Sequence, residues 1–113
     1  NAYDVLKYAS KSKYNINGFT FAFVNIFFMI KTKLSLKKFD ARKTLNNSLY
    51  PVLFIHGKND NTISYKLSEE LYKSDKKKVE YHLIDNADHC ASYFENPKLY
   101  LDIISKFIKK VIK

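Results

Sequence analysis

The sequence predicts an α/β fold built on parallel strands, and three observations point to it. The first is the run Pro51-Val52-Leu53-Phe54-Ile55-His56-Gly57, opened by proline and closed by glycine. Apolar residues at consecutive positions, rather than alternate ones, mark a strand covered on both faces, as parallel strands are. The second is another strand-like run, Val79-Glu80-Tyr81-His82-Leu83-Ile84. The third is helical spacing between and after these runs. Leu67 and Leu71 lie four apart behind Ser64, and Leu99, Ile103, Phe107 and Val111 recur behind Asn96 and Pro97. Strand, helix, strand, helix in that order is a βαβ unit with a right-handed crossover and a covering helix.

Upstream of that unit the reading is helical. Asn1 is a natural cap for a first helix through Val5, Leu6 and Ala9, with Asp4 in the dipole-favoured first turn. The helix is expected to fade between Ser10 and Asn17, where Lys, Ser and Asn collect before Gly18. Phe19 to Ile30 is the most apolar stretch of the chain, but shorter than the roughly 18 to 20 residues that cross a bilayer. A buried or half-buried helix is the favoured reading, beside a lid over an apolar pocket or an interfacial anchor. A Lys-rich connector (Lys31, Lys33, Lys37, Lys38) leads to a short helix, Ala41 to Leu45, capped by Asp40. Asn46 to Ser48 is expected to turn. Downstream, Asp85 to Glu95 is expected as a loop. In the last helix Pro97 takes the first position. Ile104, Ile108 and Ile112 widen its apolar stripe, and Lys106, Lys109, Lys110 and Lys113 lie toward solvent and the negative helix end.

Composition limits the function classes. A chain of 113 residues is one domain at most, and 46% apolar residues argues against disorder. The formal charge of +9 invites a nucleic-acid reading, but Arg42 is the only arginine and the lysines are scattered over helix faces. Arginine is the usual bidentate reader of bases and phosphates, so nucleic-acid binding is not expected. One cysteine, Cys90, rules out an internal disulfide framework and fits a reducing, cytoplasmic setting. It cannot build a Cys-based zinc site, and the three histidines are not at i, i+4 spacing, so no metal or cofactor is implied. The chain opens on Asn1 rather than Met, with no apolar leader core behind it, so a piece of a longer protein is expected.

In an open parallel sheet, catalytic groups sit just beyond the carboxyl ends of the strands. The first strand ends in His56-Gly57-Lys58-Asn59-Asp60 and the second in Asp85-Asn86-Ala87-Asp88-His89. A carboxylate and an imidazole therefore leave the same edge of two neighbouring strands. Such a pair activates a nucleophile: the imidazole takes its proton, while the carboxylate fixes the tautomer and stabilises the imidazolium. Loop aspartates and histidines are common, so the geometry has to be tested.

Pro51 through Ser64 resembles the α/β-hydrolase segment in which the penultimate strand ends in glycine followed by the triad aspartate, here Asp60. Asn86-Ala87-Asp88-His89-Cys90-Ala91-Ser92-Tyr93 resembles the loop bearing the triad histidine, here His89. The likeness is to bacterial serine aminopeptidases, lysophospholipases and acyl esterases. It covers residues 50–113 well as a βαβα unit, and it is weaker before that. Asn1 to Tyr8 resembles the helix after the sixth strand, and residues 15–39 fall where the family inserts a cap. The resemblance implies a partial α/β-hydrolase domain, its C-terminal portion, acting with its missing N-terminal half on a small-molecule carboxylic ester. Lipid-like esters fit the apolar stretch.

The departure from the pattern is a sharp one. Gly18 and Gly57 are the only glycines, so no G-x-S-x-G nucleophile elbow exists in this sequence. The resemblance therefore implies Asp60 and His89 as triad members, and a chain inert by itself. Among the other candidates, His56 is read as a packed histidine beside the site and His82 as structural. Asp88 competes with Asp60 as partner of His89, Asp85 is read as a cap or turn residue, and Ser92 and Tyr93 as loop packing. Cys90 as a nucleophile is disfavoured, because a sequence neighbour of His89 usually points away. Two further readings stay open: a basic, non-enzymatic interaction module or relic, and a membrane-surface segment built on Phe19 to Ile30.

Overall fold

The structure is a computed structural model and describes residues 1–112. Helix α1 spans Ala2–Tyr14, α2 Gly18–Thr32 and α3 Ala41–Asn46, with one 3-10 turn, Leu36–Lys38, between the last two. Strand β1 is Val52–Gly57, α4 Tyr65–Ser74, β2 Val79–Ile84, α5 Ser92–Glu95 and α6 Pro97–Val111. The strands pair in parallel from Val52 with Val79 to Gly57 with Ile84. Helix α4 forms the connection, which a parallel pair requires because both strands run the same way. The expected mixed α/β architecture on a parallel pair is the one observed.

Register places the carboxyl ends of both strands level, and this positions the site. The ladder is clamped at each end: Val52 N–H donates to Lys78 O at 2.8 Å, and Lys58 N–H to Ile84 O at 2.9 Å. One core cluster holds Ile84, Ala87 and Ile103, with Leu53 and Ile55 packed against it. Ile103 is thus the residue by which α6 covers the sheet. On the other side, Tyr81 of β2 stacks on Tyr72 of α4 with ring centroids 5.7 Å apart, and its hydroxyl donates to Tyr65 O at 3.3 Å. Burial, then Glu69 and Tyr65, push the Tyr81 hydroxyl up to about 12, so it stays a donor.

The caps read from sequence are in place. Asn1, Asp40, Ser64 and Asn96 each accept a backbone N–H of the following turn. Helix α1 ends at Tyr14, within the Ser10 to Asn17 region where it is expected to fade, and its serines bond back to carbonyls of the helix (Ser10 to Lys7 O, Ser12 to Ala9 O). It stops at Asn15, which takes the left-handed conformation at φ 52°. Four expectations need correction. The loop expected from Asp85 to Glu95 contains α5, a single turn. Ile112 lies beyond α6 and is exposed, so it does not extend the buried stripe, while Lys113 lies outside the described residues. Strand β1 is only partly buried along most of its length, since one partner strand covers one of its two edges.

The fourth correction is the largest. Helix α2 is well formed, capped by Asn17 at Thr20 N–H (2.8 Å) and ended by Lys33 in the left-handed region. Yet none of its residues is buried, and Phe19 is 83% exposed. Apolarity sets a helix's demand for cover; here only Phe21, Ala22, Asn25 and Phe28 are half-buried among the α2 residues, with Tyr3 of α1 making an edge-on contact to Phe21 at 5.3 Å. The radius of gyration, 16.3 Å, exceeds the roughly 13 Å of a compact domain of this length. No single helix among the described residues is long and apolar enough to cross a membrane.

Candidate active site

Two loops at the carboxyl rim of the strands make the site, and Gly57 lets them meet. A Cβ on Gly57 would collide with the carbonyl oxygen of Ala87 and lie 2.7 Å from that of Asp88. Only a residue without a side chain allows this approach. The two loops are then stitched together by backbone groups. Asn59 N–H donates to Ala87 O at 3.0 Å, and Asp88 Oδ1 accepts from Asn61 N–H at 3.3 Å and from His89 N–H at 2.7 Å. Asp88 therefore holds the loops and does not meet the His89 ring, which leaves that place to Asp60.

Asp60 lies at the centre of the site. Its side chain is 4% exposed, while that of His89 is 38% exposed. Oδ1 accepts the backbone N–H groups of Thr62 and Ile63, both at 2.8 Å. Oδ2 lies 2.9 Å from His89 Nδ1 and 3.1 Å from His56 Nε2. Four donors saturate the roughly four acceptor sites of a carboxylate. Burial alone would raise this carboxyl. The Ile63 N–H, then the His89 ring and the Thr62 N–H, outweigh it, and Asp60 lies below the ordinary carboxylate value.

The protons on the two imidazoles follow from their neighbours. His89 Nδ1 faces a carboxylate and so carries the hydrogen, leaving the lone pair of the neutral ring on Nε2. That is the tautomer in which Nε2 can take a proton from a nucleophile. His56 Nε2 has two acceptors around it, Asp60 Oδ2 and Ile63 O at 3.0 Å, so it too carries its hydrogen. Its Nδ1 then accepts from Ser68 Oγ at 2.6 Å.

The remaining candidates fall away from the pair. His82 bonds Glu80 at 3.0 Å, and Glu80 also receives Lys110 at 3.2 Å. Asp85 lies in the turn after β2, as one of its two expected roles had it, and pairs with Lys58 at 3.0 Å on the surface. Ser92 is buried, and Tyr93 packs edge-on to Tyr100 at 5.7 Å. Cys90 is exposed and takes φ 57°, so the chain turns sharply straight after His89. A cavity of about 790 Å³ lies between α1, α3 and α4, and neither Asp60 nor His89 lines it.

Sequence reasoning missed Ser68 and the two backbone donors at Thr62 and Ile63. The signal for Ser68 was available: three residues before Leu71, it shares the inward face of α4 with an apolar neighbour.

No family model matches this sequence. Over 62 residues it is 36% identical to the Mycoplasma genitalium protein named "Putative esterase/lipase 1", which covers 54% of this chain and 23% of that protein. Over 58 residues it is 33% identical to protein YqkD of Bacillus subtilis (strain 168), covering 51% and 19%. The chain thus matches about a fifth of the length of these curated relatives. Among solved structures it is similar to the Pyrococcus furiosus esterase PF2001, with a TM-score of 0.66 and 19% identity over 99% of this chain and 42% of that one. The Mycoplasma genitalium relative and the structural neighbour agree at one level: this chain has an esterase-type α/β fold.

Proposed function

We propose that this chain supplies the acid and the general base of a serine-type hydrolase acting on carboxylic esters. The observation that carries the reading is the Asp60–His89 hydrogen bond of 2.9 Å, which joins two strand-end loops and leaves Nε2 of a partly exposed ring without a partner among the described residues. His89 takes the proton of a serine hydroxyl as the serine attacks the ester carbonyl, and returns it to the leaving alkoxide. Asp60 holds the ring in the required tautomer and stabilises the imidazolium. The serine and the oxyanion donors come from residues outside these 113, since no G-x-S-x-G occurs among them. The relative named as a putative esterase/lipase and the esterase neighbour support the same reaction class.

The test is complementation. The chain alone is expected to leave p-nitrophenyl esters intact. Joined to an esterase N-terminal half that carries the nucleophile elbow, it is expected to hydrolyse them. His89→Ala should then lower kcat by about 10⁴-fold or more. Hydrolysis by the unjoined chain, or activity indifferent to His89→Ala, would contradict the proposal.

The exposed face of α2 favours a second, compatible reading: an interfacial segment that meets lipid-like substrate. Phe19, Phe23, Phe27 and Ile30 are exposed on α2, with Lys31 and Lys33 at its end. Co-sedimentation with anionic vesicles, lost in Phe27→Asp, is the expected result. No sedimentation at low salt removes this reading.

A further inference from the structure

Asp60 Oδ2 serves two imidazoles, and an acid–base pair needs only one. His56 comes from the last turn of β1, Asp60 from the loop after it, His89 from the loop after β2, and Ser68 from α4. The chain Ser68 Oγ–H to His56 Nδ1 (2.6 Å), His56 Nε2–H to Asp60 Oδ2 (3.1 Å) and His89 Nδ1–H to Asp60 Oδ2 (2.9 Å) is continuous. The His56 side chain is 14% exposed, so water does not readily replace these contacts. We propose that His56 is a positioning residue that acts on His89 through Asp60: a neutral imidazole that shares the charge of Oδ2 and thereby weakens His89 as a base. The inference rests on reading Asp60 and His89 as the acid–base pair.

The influence of His56 on His89 runs through the single oxygen. A carboxylate oxygen that accepts two N–H groups offers each less charge than it would offer one. Oδ1 is anchored independently by the Thr62 and Ile63 backbone, so the carboxylate keeps its place when His56 is removed. The freed charge then falls on His89 and stabilises its imidazolium. The acceptor from Ile63 and the donor from Ser68 are what keep His56 in the required state. Both acceptors at Nε2 demand its hydrogen, and Ser68 satisfies Nδ1 without charging the ring.

The measurement is an NMR titration of the imidazoles in the full chain, which needs no ester and no nucleophile. In the unsubstituted chain, ring ¹⁵N shifts should place His56 in the Nε2–H tautomer at neutral pH. His56→Leu should raise the His89 pKa by about 0.5 unit, roughly a threefold gain in proton affinity. His56→Gln, whose amide can donate to Oδ2, should return it toward the original value. An Nδ1–H or cationic His56 at neutral pH, or a His89 pKa unmoved by His56→Leu, overturns the proposal. If His56→Leu does not fold, the tautomer measurement on the unsubstituted chain still decides. Failure here leaves the hydrolase reading standing. Failure of that reading, seen as esterase activity indifferent to His89→Ala, leaves the His56–Asp60 link measurable.

Discussion

The halves of this chain on either side of Tyr50 treat their demanding groups in opposite ways. From Val52 onward, the most costly group to bury, the Asp60 carboxylate, meets four donors, all from within the same βαβα unit. Before Tyr50, among the groups most in need of cover, Phe19, Phe23 and Phe27 of α2 remain in the open. Hydrogen bonds are directional and local, and neighbouring loops can complete them. Apolar cover is an area, and it needs other elements to be laid against it. The comparison teaches that the site is built from local pieces, whereas the apolar face of α2 depends on cover that α1 alone does not supply.

Three measurements break or sharpen that contrast. The largest effect belongs to Gly57→Ala. The added methyl meets the carbonyls of Ala87 and Asp88, so the loops must part, and a loss of about 3 kcal/mol is expected in urea denaturation. A loss near zero would show that the loops are not locked together. Next comes Asp60→Asn, which removes a charged acceptor and should cost about 2 kcal/mol at neutral pH. The sign of its pH dependence follows from the depressed carboxyl. The stability that Asp60 contributes is fully present above the unfolded carboxylate value of about 3.9, and is lost as pH falls through the lower folded value. Thermal melts of Asp60→Asn should therefore lose part of the acid slope seen in the unsubstituted chain; identical slopes would contradict this.

The smallest effect is expected from Phe23→Asp in α2. With that side chain already exposed, the change should stay within about 0.5 kcal/mol in the isolated chain. The same substitution in an enzyme completed with its nucleophile half sharpens the contrast. A cost several times larger there would show that the added elements cover α2; an unchanged cost would leave the face free for a lipid surface.

Much of this was legible in the residues, for reasons that differ by element. The two strands stand out because their apolar runs lie between turn residues, and α6 because Asn96 and Pro97 announce it. Asp60 and His89 were legible as a pair because each follows the end of a strand, and parallel strands end on the same rim. The end of α1 was legible as a region, since Lys, Ser and Asn collect ahead of Gly18 and the helix stops among them at Tyr14. The exposure of α2 was not, since composition records what a helix needs and says nothing of what lies beside it. His56 was read as packed against the site, and its ring does lie there, but the bond to Oδ2 depends on Ser68 and Ile63, which no short motif contains.

The turn at His89 has a consequence for anyone who would engineer this chain. Asn86 and Cys90 bracket the histidine loop with left-handed backbone, at φ 61° and 57°. Asparagine tolerates that region, but a cysteine there carries a steric cost of about 1 kcal/mol. Replacing it with glycine would relieve the clash and also loosen the stretch that presents the imidazole. Amide hydrogen exchange at positions 87 to 91 would show how much order the loop gives up for that gain, and no exchange difference would mean the tension is held elsewhere.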